Sequence, residues 1–230
     1  MAKLTVIKTP VVHKRLPPQQ RREQIIAEAK KLFAERGVDS MSMRSLGKRC
    51  GITQASLYQH FAGKDAILFA ICDGYFARML EAFQRASLTA NGPLQQLLAI
   101  MRAYIDLGLA HPEEYRLTFM TPVSGITDMP VSVADETADH EKPGTLAFNF
   151  LQERIAGLME QGLLRPGNPA ATAEAIWATG HGLVSLLITH ARYVWSDIDA
   201  VKQAHLNLTL HGMLTNEAAI KLEAASVHAT

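Results

Sequence analysis

Ser42-Met-Arg-Ser-Leu-Gly-Lys-Arg-Cys-Gly-Ile-Thr-Gln-Ala-Ser-Leu-Tyr-Gln-His-Phe-Ala-Gly-Lys-Asp65 decides how this chain is read. Two short amphipathic segments flank Gly51-Ile52-Thr53. In the first, Met43 to Cys50, Ser42 is placed to cap, and Leu46 and Cys50 fall four apart on one face. Gly51 suits a left-handed turn position. Thr53 can cap the second segment, Gln54 to Phe61, where Leu57 and Phe61 are again four apart. Two helices joined by a tight Gly-containing turn make a helix-turn-helix, whose second helix enters a DNA major groove. An ordinary helical hairpin has the same spacing, so the flanking sequence must decide between them.

Upstream, Ile25/Ile26, Ala29 and Leu32/Phe33 recur at helical spacing, and Gly37 is a stop. A helix from Gln19 to Arg36 therefore completes a three-helix bundle, with Phe33, Leu46, Ile52, Leu57 and Phe61 as its expected core. Residues 1–18 are basic, carry Pro10, Pro17 and Pro18, and show no helical period. They read as a flexible arm, either a phosphate or minor-groove contact or a plain leader. No secretory signal is recognised in them.

The net charge of +1 conceals a division. Residues 1–65 hold 13 Lys and Arg against 5 Asp and Glu, a balance of +8; residues 66–230 hold 10 against 17, a balance of −7. A basic unit on an acidic body fits local attraction to phosphate, although a charged end also serves solubility. At 48% hydrophobic residues the chain can bury a sizeable core. Cys50 and Cys72 lack the spacing of a metal site or a disulfide framework, which points to a reducing cytoplasm. No apolar run reaches membrane-spanning length, so no membrane partner is expected.

Downstream, the periodicity predicts helices over Lys64–Ser87, Leu94–Ala110, Glu113–Met120, Thr145–Gln161, Ala170–Tyr193 and Asp197–Leu214. Residues 121–144 form a long acidic loop. The expected fold is all-α: an arm (1–18), a helix-turn-helix head (19–63) and a helical body (64–230).

Ala29-Lys-Lys-Leu-Phe-Ala-Glu-Arg-Gly37, Ser42-Met-Arg-Ser-Leu46, Cys50-Gly-Ile-Thr53 and Leu57-Tyr-Gln-His-Phe-Ala-Gly-Lys-Asp65 together resemble the tetracycline-repressor (TetR) type of bacterial transcription regulator. The resemblance covers about residues 20–68. Trp177-Ala-Thr-Gly-His181-Gly182 is similar to the Trp/His-Gly signature of one C-terminal domain type in that family. The resemblance implies a homodimer, a double-stranded DNA operator of two half-sites, and a body pocket for a small-molecule effector. Ser42 and Arg44 match phosphate-touching positions. Thr53, Gln54, Ala55 and Ser56 match the groove-facing start of the recognition helix, and Tyr58, His60 and Lys64 match phosphate clamps. Gly47 departs from the pattern, where Ala is usual. It either permits close helix contact or weakens its helix.

The side-chain chemistry suits those roles. Gln54 can pair with adenine through two hydrogen bonds, Ser56 can bond several base edges, and the Ala55 methyl can meet a thymine methyl. Tyr58 and Lys64 reach backbone oxygens, which position without specifying sequence. Arg21 and Arg22 read as solvated. In the body, Tyr104, His111, Tyr115, Phe119, Phe148, Trp177 and His181 are candidate pocket walls with a few polar tips, though each residue type is as much at home in a core. They favour an apolar or aromatic effector. Gly180 and Gly182 allow close backbone approach, and Leu183, Leu187, Leu206 and Leu210 are candidates to pack across a two-fold axis. The alternative makes the Ala170–Tyr193 helix the buried centre of the body.

No hydrolase elbow, phosphate-binding Gly loop or zincin motif is present, and the nine histidines are scattered. Neither an enzyme, a cofactor nor a metal is expected. The function expected is a repressor released from DNA by its effector. A helical small-molecule carrier with an incidental basic head is the alternative.

Overall fold

The computed structural model describes residues 16–38, 40–121 and 142–220. The first fifteen residues of the expected arm, and residues 122–141 of the expected acidic loop, lie outside the described residues. The regular elements among the described residues are α1 (Pro18–Arg36), α2 (Met43–Cys50), α3 (Gln54–Tyr58), α4 (Lys64–Thr89), α5 (Pro93–Ala110), α6 (Pro112–Phe119), α7 (Pro143–Glu160), α8 (Pro169–Thr189) and α9 (Ile198–His211). One isolated antiparallel bridge joins Leu164 to Leu214. The fold is all-α, as the periodicity predicts.

Five helices begin on a proline: Pro18, Pro93, Pro112, Pro143 and Pro169. The first helical residue has no intrahelical use for its N–H, and proline's fixed φ is already helical. Treating these prolines as breaks sets the expected starts one or two residues late. The expected ends also shift. The second helix of the motif stops at Tyr58 instead of Phe61, because Gln59 and His60 bond back three residues, to Ser56 and Leu57, and tighten the chain into a turn. α8 stops at Thr189, four residues early. There the Thr189 hydroxyl donates to Ser185 O at 2.6 Å and Arg116 Nη2 donates to Ile188 O at 2.7 Å, so side chains satisfy the last carbonyls. α9 stops at His211, because Leu163–Arg165 exchanges backbone hydrogen bonds with Met213 and Thr215.

The chain divides into two compact units, residues 1–67 and 68–230. The head keeps the first turn of α4, whose Ile67 is fully buried. The division therefore falls four residues beyond the expected one. Ile25, Ala29, Phe33, Leu46, Leu57 and Phe61 are buried; Ile52 is only half-buried. Ser42 and Ser45 form a reciprocal capping box, with Ser45 where Glu or Gln is common. Gly51 takes φ 67°, the left-handed conformation that closes α2. Gly47 is buried against the turn: a β-carbon there would stand 3.1 Å from Ile52 O. It permits close contact, since Ile52 N donates to Gly47 O at 3.0 Å.

Two arginines tie the head together. Arg49 on α2 bonds Glu28 and Glu35 of α1, each at 2.7 Å. Arg22 lies over the Phe61 ring, 4.1 Å from its centroid, and donates to His60 O at 3.0 Å. It is not the solvated charge expected from sequence.

In the body, α5 packs against α7, α8 and α9. Tyr75, Leu97, Ile105, Tyr115, Ile155, Val184 and Leu206 are among its buried centre. Lys202 of α9 pairs with Asp106 of α5 at 2.6 Å, and Arg78 of α4 pairs with Glu114 of α6.

Candidate nucleic-acid interface and body cavity

α3 is too short to hold itself as a helix in water. Tertiary burial of Leu57 anchors it, and Thr53 caps it by accepting from Ser56 N at 3.1 Å. With its inner face fixed, Gln54, Ala55 and Tyr58 stand exposed, and Tyr58 is 48% accessible despite its large ring. Ser42, Arg44 and Gln54 border one recess, together with Ser45 and Lys48. The first turn of α2 and the first residue of α3 thus meet at one surface. Ser45 and Lys48 are the members that sequence reasoning passed over. Ser42-x-x-Ser45 was legible as a capping box with serine replacing the usual carboxylate. Lys48 sits one turn after Arg44, on the same face. His60 and Lys64 are half-buried, and the His60 carbonyl is already taken by Arg22. Thr53 accepts from Ser56 N in its cap, which leaves its hydroxyl proton to donate, whereas the Ser42 hydroxyl accepts from Ser45 N and donates to Ser45 Oγ at 3.2 Å within the capping box.

The body holds a cavity of about 240 Å³. Its walls come from α4 (Phe76, Met79, Phe83), α5 (Ile100, Met101, Tyr104, Ile105), α6 (Thr118, Phe119), α7 (Ala147, Phe148, Leu151), α8 (Ile176, Trp177, Gly180) and α9 (His205). Among the described residues, no Asp, Glu, Lys or Arg lines it. Of the expected wall residues, Tyr104, Phe119, Phe148 and Trp177 line the cavity. His111 does not: it is the exposed cap between α5 and α6. Tyr115 and His181 are not lining residues either, and Tyr115 is completely buried.

Those two serve the wall from behind. The Tyr104 and Tyr115 hydroxyls lie 2.8 Å apart, Tyr115 Oη lies 2.7 Å from His181 Nδ1, and His181 Nε2 lies 3.2 Å from Ser185 Oγ. The Tyr115 and His181 rings stack, with centroids 5.7 Å apart and planes 17° from parallel. Burial pushes the Tyr104 and Tyr115 phenols up and the His181 and His205 imidazoles down, so all four are neutral at pH 7. From the sequence a pocket is expected among the fourth to eighth helices, but sequence reasoning singles out none of the α4 residues Phe76, Met79 and Phe83 and misses His205 of α9. These sit on helical faces that read as ordinary core.

Three of the six expected two-fold residues point inward. Gly180 packs on the Tyr104 ring, where a β-carbon would approach Cδ1 to 3.3 Å. Leu206 and Leu210 are 0% and 1% exposed inside the body's own core. Gly182, Leu183 and Leu187 are half-buried. The exposed apolar positions lie beside them: Ala171, Ala175, Ala178 and Leu186 of α8, spaced at helical intervals with Gly182, and Ala200, Ala204 and Leu208 of α9. Leu208 is 77% exposed.

Both cysteines are buried and unbridged, and burial raises the Cys72 thiol to about 11. Among the described residues, no three His, Cys, Asp or Glu side chains gather as a metal site. No helix among them is long and apolar enough to cross a membrane.

Residues 25–71 match the model of bacterial regulatory proteins of the tetR family, and residues 97–209 match the Tetracyclin repressor-like C-terminal domain. The chain belongs to the TetR family. Family and relatives are DNA-binding transcription regulators. The chain is 30% identical over 105 residues to the HTH-type transcriptional activator FasR of Mycolicibacterium smegmatis, covering 46% of this chain and 48% of that protein. It is 25% identical over 139 residues to the HTH-type transcriptional repressor KstR2 of the same organism, covering 60% of this chain and 67% of that protein. The matched stretch thus spans about half the length of the first relative and two thirds of the second. Among solved structures, a Rhodococcus protein of unknown function superposes with TM-score 0.69 at 22% identity, covering 90% of this chain and all of that one. The fatty acid degradation regulator FadR of Bacillus halodurans gives TM-score 0.66 at 16% identity, covering 86% and 97%. At these identities the structures establish the fold.

Proposed function

We propose that this family member is a homodimeric repressor whose hold on an operator is released by a small, largely apolar effector bound in the body cavity. The observation that carries the reading is the cavity itself: about 240 Å³, walled mainly by aromatic and aliphatic side chains, with no charged residue among the described ones. An apolar space of this kind is held open by its surrounding helices and is filled by a ligand of matching polarity.

In the head, Gln54, Ala55 and Ser56 read base edges, while Ser42, Arg44, Tyr58, His60 and Lys64 position the backbone, with Thr53 at the groove-facing start. Lys64 opens α4, and the same helix supplies Phe76, Met79 and Phe83 to the cavity. A ligand that prefers one placement of α4 biases the head through that helix. The shift cannot exceed its differential affinity for the two states. Two half-sites call for two heads, and the exposed stripe of Ala171, Ala175, Ala178 and Leu186, with the half-buried Gly182 among them, together with Ala200, Ala204 and Leu208 suits a two-fold contact. Small residues let helices approach, and Leu186 and Leu208 supply apolar area.

The test is a gel shift against the DNA upstream of the protein's own coding region, titrated with salt and with apolar aromatic compounds. A sequence-selective shift that weakens with salt and reverses with one such compound is expected. No selective shift at any salt concentration would leave a carrier of small molecules as the better reading. Selective binding that no cavity ligand alters would remove the effector.

A further inference from the structure

The cavity has one polar wall with an unusual property, and that property constrains what can bind. Tyr104 lines the space, and its hydroxyl belongs to a chain of hydrogen bonds running through Tyr115 to His181 and Ser185. A neutral imidazole carries one proton, on either ring nitrogen. With the proton on Nε2, His181 donates to Ser185 and accepts from Tyr115. Tyr115 in turn accepts from Tyr104, and the Tyr104 oxygen is left as an acceptor whose second lone pair is shared with the neighbouring Trp177 indole N–H. With the proton on Nδ1, His181 donates to Tyr115, Tyr115 donates to Tyr104, and the Tyr104 O–H is left as a donor. Every buried partner is satisfied in both arrangements, so Tyr104 can offer a donor or an acceptor at the same place.

Among the described residues, nothing comparable exists for charge. Besides Tyr104 and the Trp177 indole N–H, the polar lining side chains among the described residues are Thr118, Thr121 and His205, and burial holds His205 neutral. A carboxylate or ammonium brought here loses water without gaining an opposite charge. Size gives the second constraint. An apolar cavity of roughly 150 Å³ accepts benzene, so one of about 240 Å³ accepts a body of about two fused rings.

We infer that the effector is an uncharged molecule with a two-ring-sized apolar body and one hydroxyl or carbonyl oxygen, which Tyr104 reads at the end of the Tyr104–Tyr115–His181 relay. This rests on the reading of the cavity as the effector site. Tyr104 touches the ligand; Tyr115 and His181 are positioning residues that set which way its hydroxyl points.

The experiment is calorimetric titration of the full chain, near neutral pH, with naphthalene, 2-naphthol and 2-naphthoate. These share one body and differ in a single group. 2-Naphthol is expected to bind several-fold to about tenfold tighter than naphthalene, the worth of one neutral hydrogen bond. 2-Naphthoate is expected to bind at least about a hundredfold more weakly than 2-naphthol. Tyr104→Phe should bring the ratio of alcohol to hydrocarbon affinity close to one. His181→Asn should lower the same ratio, and a thermal melt of each variant checks that it is folded. 2-Naphthoate binding as tightly as 2-naphthol, or an undiminished preference in folded Tyr104→Phe, would overturn the inference. Failure of all three probes to bind would overturn it together with the cavity reading. The expected selectivity without release of DNA would sustain the inference and remove the effector role alone.

Discussion

Gly108 on α5 and Val184 on α8 meet so closely that a methyl group on Gly108 would stand 2.7 Å from Val184 Cγ1, and 3.0 Å from the ring of Tyr115. Contact this close lets α5 and α8 hold Tyr104, Tyr115 and His181 in one relay. Gly108→Ala gains about 1 kcal/mol in helix propensity but overpacks the contact by about 1–3 kcal/mol. The expected outcome is net destabilisation. Adding Val184→Ala should recover part of it, so a double-mutant cycle in denaturant should show coupling of about 1 kcal/mol or more. Strict additivity would place the clash elsewhere.

The turn of the head makes a second prediction. Gly51 has φ 67°, where an L-residue costs about 1–2 kcal/mol. Gly51→Ala should destabilise the head by that amount, followed by circular dichroism in denaturant. Gly47→Ala is different. Its helix gain of about 1 kcal/mol is opposed by Ile52 O at 3.1 Å. The net change should be well under that gain.

The exposed stripe separates assembly from folding. Leu208→Glu, at an outward position, should yield folded monomers by sedimentation and lose most operator affinity. Leu206→Ala removes a side chain with 0% exposure and should cost about 2–5 kcal/mol of stability. A dimeric Leu208→Glu protein would move the two-fold contact to another face.

Division of labour in the head is open to measurement. Gln54→Ala should relax base choice at one position of each half-site, by about 1–3 kcal/mol of discrimination. Lys64→Ala should weaken all sequences together and reduce the salt slope by about one. Equal loss of selectivity in both variants would contradict the assignment.

The body should also lose stability in mild acid. Burial lowers the folded-state affinity of His181 and His205 for a proton below the ordinary value of 6.5. Between the folded value and 6.5 the unfolded chain binds more protons, so stability rises with pH there. It is fully present above about pH 7 and is lost as pH falls through the folded value. Thermal midpoints should therefore drop on acidification from neutrality, above the range where carboxylates titrate. His181→Asn should flatten that slope.

Much of the head was legible in its sequence, because its signals are local. Ser42, Gly51 and Thr53 act on backbone groups within a few residues, so their spacing carries their roles. The helical period likewise placed Leu46, Leu57 and Phe61 on an inner face. Helix starts at proline were misread by a residue or two, since proline breaks one helix and begins the next by the same missing N–H.

What the sequence determined by itself was an all-α chain with a basic helix-turn-helix head, because caps, turns and helical period depend on near neighbours. Only the tertiary structure decided what each apolar or polar face meets. The hydrophobic effect is non-directional, so periodicity identifies a buried stripe without naming its partner. Leu206 and Leu210 therefore belong to the chain's own core while Leu208 between them stands outside. Tyr115 and His181 back the cavity wall instead of forming it, and Arg22 lies on Phe61 instead of in solvent. Each of these outcomes depends on contacts between residues distant in sequence, which no local pattern specifies.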